Sequence, residues 1–214
     1  MQTVTFPTVK MSKASKMPCQ SYSIPAAECK VGGTLRGVKG STCEKCYARK
    51  GRYLFGAVMA SRYHNFEHLM LCQRDADARA NWVRQIAGAV ANDRFMRWHD
   101  SGDLQGLWHL EMIVEVAKAA PWCQFWLPTR EYAVVTDYLL EHGNFPGNLT
   151  VRLSALMRGK PMMINSTMAA AGVVGSTVGF EGGSECPAYH RDGKCGDCRA
   201  CWDRSVASVN YPLH

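Results

Sequence analysis

The sequence predicts an α/β fold: an incomplete (βα) barrel-like chain with cysteine-rich N- and C-terminal metal-binding segments. Three observations predict it. Strand-like and helical stretches alternate from Arg94 to Phe180, the pattern of βαβ units joined by right-handed crossovers. Polar residues stand where the strand-like runs stop, namely Asp100, Asp103, Thr129, Arg130 and Ser154, and in such folds chemistry gathers at strand C-terminal ends. Length is the third: 214 residues fall short of the roughly 250 of a complete eight-unit barrel and suit one domain.

Residues 1–42 read as loops and short strands, because Pro7, Pro18, Pro25 and the glycines Gly32, Gly33, Gly37 and Gly40 interrupt anything longer. Helical spacing begins at Glu44. In Asp77–Ala91, Trp82, Ile86 and Val90 recur at i, i+4 and i+8 with Val83 and Ala87 beside them, so one face of that helix is core. Arg94–His99 is a strand that ends in the turn Asp100-Ser101-Gly102-Asp103, with Asp103 placed to cap a helix over Leu104–Ala119. Gln124–Leu127 is the next strand and closes at Pro128-Thr129-Arg130. A helix follows near Glu131–Glu141, then a strand over Asn148–Ala155 and a fourth over Gly172–Phe180. On the first strand Arg97 and His99 are expected on one face, with Met96, Trp98 and Asp100 on the other. Trp98, Trp108, Trp122 and Trp126 are expected in the core, and His64 and His68 at the surface.

A hydrophobic fraction of 47% with 20% charged residues excludes global disorder. The longest uncharged stretch, Pro161 to Phe180, carries too many Asn, Ser, Thr and Gly residues to span a membrane, so no membrane partner is expected. Charge is uneven: residues 1–53 hold ten Lys or Arg against Glu28 and Glu44, so the whole net charge of +7 lies in the N-terminal quarter. An anionic small molecule or nucleic acid would approach there. The chain thus reads as a single domain with a basic, cysteine-containing segment (1–53), a βα core (54–180) and a cysteine-rich segment (181–214).

Ten cysteines are the anomaly. Met1–Lys16 has no apolar signal core, so reduced thiols in a cytoplasm are expected rather than disulfides. Cys186, Cys195, Cys198 and Cys201 give C-x8-C-x2-C-x2-C with Pro187, Gly193 and Gly196 alongside, a metal-ligand pattern in which each x2 turn aims two sulfurs at one centre. Zinc usually joins two CxxC knuckles across a longer gap, whereas C-x2-C-x2-C resembles four-iron cluster ligation, which the spacing favours. Cys29, Cys43 and Cys46 form a second group. Cys43 and Cys46 start an expected helix whose N-terminal dipole would stabilise thiolates, and three protein ligands would leave one iron open for an external ligand. A four-cysteine zinc site that includes Cys19 is the alternative. Cys72 and Cys123 sit in apolar contexts and are expected as core thiols.

Lys16-Met17-Pro18, Tyr22–Ala26 leading to Cys29, Cys43–Ala48, His99–Asp103 and Gly193–Trp202 resemble, in order, the phage gene-product-88-like family. The resemblance implies a phage or prophage origin, and hence a host-cell cytoplasm. The CxxCYA element is also similar to the cluster loop of radical S-adenosylmethionine enzymes of the spore photoproduct lyase type, which sit on partial (βα)6 barrels. That likeness implies a 4Fe-4S cluster on Cys29, Cys43 and Cys46, S-adenosylmethionine on its open iron, and an electron donor as partner. Thirteen residues separate Cys29 from Cys43, against three in the usual loop. One or two clusters are expected, with zinc as the alternative cofactor.

Residues expected to carry chemistry are His99, Asp100 and Asp103 as proton-handling groups, with Tyr47, Arg97 and Arg130 as contacts to a bound cofactor. A strand-to-helix turn built on Asx and capping bonds explains the same His99–Asp103 residues structurally. The functional expectation is an iron–sulfur protein with redox or radical chemistry; the rival is a zinc-stabilised nucleic-acid-binding protein whose basic quarter tracks phosphates.

Overall fold

The computed structural model describes residues 5–213. Eight strands form one mostly parallel sheet: β1 (Met11–Lys13), β2 (Gln20–Tyr22), β3 (Phe95–Trp98), β4 (Gln124–Thr129), β5 (Leu149–Ser154), β6 (Val174–Val178), β7 (Ser184–Glu185) and β8 (Ser208–Tyr211). Their order is β1-β2-β3-β4-β5-β6-β8-β7, with only β1 and β2 antiparallel. Six helices accompany them: α1 (Val31–Leu35), α2 (Gly56–Cys72), α3 (Ala76–Ala89), α4 (Leu107–Ala119), α5 (Tyr132–His142) and α6 (Ser166–Ala170). Strand order follows chain order from β2 to β6, as successive βα units require. The pairing runs in one line from β1 to β7, an α/β sheet in which β1 and β7 do not pair with each other among the described residues.

The two faces of the sheet are different surfaces. Met96, Trp98, Phe125, Leu127, Leu149, Val151 and Leu153 are buried in the main core together with Trp82 and Ile86 of α3, Leu110 and Ile113 of α4, and Val135 of α5. Alternation sends their neighbours the other way: Arg97, Trp126 and Thr150 are paired across β3, β4 and β5. There the C-terminal segment covers them. The Trp202 ring meets Trp126 edge-on at 5.3 Å, and its carbonyl accepts from Thr150 Oγ1 at 2.8 Å.

Several local expectations are corrected. Cys43–Cys46 is a turn before a 3-10 turn at Tyr47–Arg49, and the first long helix starts only at Gly56, so no helix dipole acts on those thiols. Asp75 caps α3 by accepting from Asp77 and Ala78 N–H, both at 2.9 Å, and Asn165 caps α6 by accepting from Met168 N–H. Asp103 does not cap α4, which begins three residues beyond the predicted start with Gly106 at its N-cap. Trp122 is 51% exposed, its indole N–H donating to Val90 O. His68 is buried rather than superficial. Cys72 and Cys123 are core thiols as expected. No helix among the described residues is long and apolar enough to cross a membrane.

Candidate functional site

A cavity of about 380 Å³ opens at the C-terminal ends of the parallel strands, on the face away from α2–α5. That volume lies within the range of small-molecule sites. It takes its walls from the cysteine loops after β2, the His99–Asp103 turn after β3, Arg130 after β4 and Ser154 at the end of β5. The turn after β3 is specified by Gly102. Its φ is +87°, and a Cβ there would stand 2.8 Å from the Ile24 carbonyl oxygen and closer still to the Ile24 side chain, so only glycine lets the turn lie against β2's extension.

Cys29 and the Cys43/Cys46 pair, separated by thirteen residues in sequence, all line this cavity. Gly32 stands between two of them: a Cβ at this buried position would be 3.4 Å from Cys43 Sγ and 3.8 Å from Cys29 Sγ. The sulfurs therefore flank a space that exists because residue 32 has no side chain. Burial pushes the Cys29 thiol up to about 12, reinforced by Asp103 and the two neighbouring thiols and opposed by Arg130. Cys43 is also raised by burial, with Arg130 foremost among the opposing groups. Both thiols are protonated at neutral pH, so a metal binding here must displace protons.

Four thiolates on one zinc stand about 3.8 Å apart, given a metal–sulfur distance of about 2.3 Å. Among the described residues no three cysteine sulfurs lie within 4.8 Å of one another; the only compact trio of ligand types is Glu111, Glu141 and His142 at the surface. Glu111 there already pairs with Arg79.

The six non-cysteine residues singled out by sequence all line the cavity, in different states. Asp103 is held by the fold: Oδ1 accepts from Leu104 N and Thr129 Oγ1 at 2.8 and 2.6 Å, and Oδ2 from Arg130 N at 3.0 Å. It ties the end of β3 to the end of β4, and burial raises its pKa. Asp100 accepts from Ser23 and Tyr53 and pairs with Arg62 at 3.6 Å, which joins β3 to α2. Both carboxylates thus tie the turn after β3 to its neighbours. Asp100 reaches the cavity despite its even register because His99 adopts φ +54°, which breaks the strand alternation and corrects the expected face.

His99 is the one with unused capacity. It is 4% exposed, and neither ring nitrogen has a hydrogen-bond partner. Burial lowers its pKa to about 3, with Arg97 adding to the shift against the opposing Asp100, so the imidazole is neutral. Arg97 lies over the Trp126 ring at 4.6 Å and donates to Tyr47 Oη at 3.0 Å, while Nε is unpartnered and none of the described carboxylates forms an ion pair with it. Arg130 donates from Nε to Thr42 Oγ1 at 2.9 Å. Tyr47 donates to the Asp100 carbonyl at 2.9 Å.

The C-terminal cysteines form a separate group below the cavity. Charges felt by Cys195 come from Cys186, Cys198, Arg97 and Arg199, whereas those felt by Cys29 come from Asp103, Cys46, Cys43 and Arg130. Cys19 belongs to the C-terminal group: it is buried with Trp126 and Trp202, and feels Cys195. That corrects the four-cysteine alternative around Cys43. Arg97 and Tyr211 line the cavity between the groups, and Tyr211 Oη meets Cys201 Sγ at 3.4 Å. Sequence reasoning did not single out Gly32, Tyr211, Arg36, Arg152 or Arg158. A lone arginine or tyrosine in a strand carries no spacing signal.

No curated protein and no solved structure matches the chain. The likeness of Cys43–Ala48 to a radical S-adenosylmethionine cluster loop is not supported by these comparisons. The family model described as Gene product 88 does match, over residues 3–204. That match takes in all ten cysteines and the cavity lining except Tyr211 and Leu213, and the protein belongs to the phage-associated gene product 88 family.

Proposed function

We propose that the protein is an iron–sulfur protein whose N-terminal centre, on Cys29, Cys43 and Cys46, opens onto a pocket for a small anionic ligand. The observation that carries this reading is the convergence of the three cysteines on one cavity with the unpaired Arg97 and the unpartnered, neutral His99. When bound, an iron–sulfur cluster supplies one-electron transfer. The chain's own residues do the rest: Arg130 offsets thiolate charge, Gly32 keeps the space between the sulfurs, Asp100 and Asp103 fix the rim, and Arg97 and Tyr47 orient an anionic group of the ligand. S-adenosylmethionine, with its carboxylate, belongs to the ligand class this rim accepts, and an electron donor is the partner the chemistry requires.

The test is anaerobic reconstitution with iron, acid-labile sulfide analysis and electron paramagnetic resonance. Matched iron and sulfide that fall in Cys43→Ser support the reading; stoichiometric zinc without sulfide refutes it. One surface favours a second reading as a zinc-held nucleic-acid-binding protein: Tyr47, Leu54 and Phe55 are 52%, 56% and 61% exposed beside Arg49, Lys50 and Arg52. Exposed aromatic and cationic groups together suit single strands. Affinity for single-stranded DNA that falls steeply with salt would mark that reading.

A further inference from the structure

The most unusual charge in the molecule is Arg152. It stands in β5 with no exposure, and all five of its N–H donors are used on carbonyls. Nε donates to Cys201 O at 2.9 Å. Nη1 donates to Gly175 O and Val206 O, both at 2.9 Å, and Nη2 to Ala200 O at 2.6 Å and Asp203 O at 2.7 Å. Four of the five acceptors belong to residues 200–206, so one guanidinium clamps the end of the cysteine segment onto the sheet. Carbonyl dipoles satisfy its hydrogen bonds but leave its charge uncompensated, because no described carboxylate forms an ion pair with it. A buried, unpaired charge costs several kcal/mol. A thiolate at Cys201, whose carbonyl accepts from Arg152 Nε, would set an anion against it.

Backbone bonds hold the segment that carries the four cysteines to this side of the sheet, where no three of the described sulfurs lie within 4.8 Å of one another, so a bound metal would have to draw them together. Cys186 N–H donates to Asn210 O beside Tyr211, Cys195 N–H to Lys16 O at 3.1 Å, and Cys198 N–H to Cys195 O at 3.1 Å, while Cys201 Sγ meets Tyr211 Oη. Two further cations face the group. Arg97 lies over Trp126, and Arg199 lies over Phe95 at 5.1 Å while donating to Gly196 O and Cys198 O. We propose that Cys186, Cys195, Cys198 and Cys201 hold a second metal centre, distinct from the cavity centre, as an anionic tetrathiolate whose counter-charge is the buried guanidinium of Arg152. The ligand is a thiophilic metal. Four thiolates around a zinc ion or around an oxidised four-iron cluster carry the same net charge of about −2, so either species satisfies Arg152, and binding releases the thiol protons.

This proposal does not rest on the iron–sulfur reading of the cavity. The test measures iron, zinc and sulfide per chain, and resistance of the bound metal to a chelator, in anaerobically purified full-length wild type, Cys198→Ser, Cys43→Ser, Arg152→Met and Arg152→Lys. Cys198→Ser is expected to lose metal that Cys43→Ser retains. Arg152→Met is expected to lose it at a chelator concentration at least about tenfold lower than wild type, with partial rescue in Arg152→Lys. Near-ultraviolet circular dichroism shows whether each variant is folded. Wild-type metal content in Cys198→Ser, or a Cys43→Ser/Cys198→Ser double variant that loses no more metal than either single variant, overturns the proposal. Wild-type chelator resistance in a folded Arg152→Met overturns the role of Arg152, and an unfolded Arg152→Met transfers that decision to Arg152→Lys. A chain in which Cys43→Ser loses nothing and Cys198→Ser loses all its metal sinks the cavity reading while this one stands.

Discussion

Gly32→Ala separates what a residue does for the fold from what it does for a metal. Gly32 lies inside α1 and is not in the left-handed region, so alanine fits its backbone. In a helix interior that exchange gains up to about 1 kcal/mol. Against the gain, the new methyl would sit 3.2 Å from Cys29 Cβ and 3.4 Å from Cys43 Sγ, contacts that ask the neighbours to give by a few tenths of an ångström. The two effects offset each other in the metal-free chain, whose stability is expected to stay within about 1 kcal/mol of wild type, a change in Tm of about 2–4 °C at this size. With metal bound, the sulfurs cannot retreat. Overpacking of about 1–3 kcal/mol then falls on the metal-loaded state alone, which weakens binding by about five- to 150-fold. The assay pairs calorimetry of the metal-free protein with chelator titration of the reconstituted protein. Gly33→Ala is the control, since its Cβ would meet only the flexible end of Arg36 at 3.4 Å. Equal metal retention in Gly32→Ala and Gly33→Ala would refute the idea that the space beside residue 32 is a cluster cradle.

Gly102→Ala meets both penalties that Gly32→Ala avoids: a left-handed backbone costs about 1–2 kcal/mol, and the overlap with Ile24 about 1–3 kcal/mol more. Calorimetry should show a loss of about 2–5 kcal/mol, and a loss under 1 kcal/mol would mean the turn is free to shift. Acid stability gives a further check. His99 titrates near 3 in the fold and near 6.5 when unfolded, so between these values the unfolded chain binds more protons. Stability therefore falls as pH drops from about 6.5 toward 3, by up to about 1.4 kcal/mol per pH unit. His109, lowered by burial and then by His99, acts in the same direction. Urea denaturation of His99→Asn, whose side chain tolerates positive φ, should show a shallower decline from pH 6.5 to 4.5; an unchanged slope would mean that His99 is not buried neutral.

The amino-acid sequence by itself determined the order of the βα units and the strand ends that carry polar residues. Those features rest on local periodicity: Trp82, Ile86 and Val90 mark a buried helix face however the chain folds, and Asp100, Asp103, Thr129 and Arg130 mark the stops after β3 and β4. Spacing likewise puts Cys195, Cys198 and Cys201 on one short loop. Tertiary structure alone decided the rest. It brought Cys29 to Cys43, set Cys19 against Trp202, tied two strands together through Asp103, and left the His99 ring without a hydrogen-bond partner and Arg97 without a carboxylate. It also placed the strand residue Arg152, unremarkable in sequence, beneath the cysteine segment. The physical reason is that periodicity records which side of an element is buried, whereas a charge's partner is set by contacts between segments 100 or more residues apart, such as the bond from Val31 N–H to Glu131, and no local pattern encodes those.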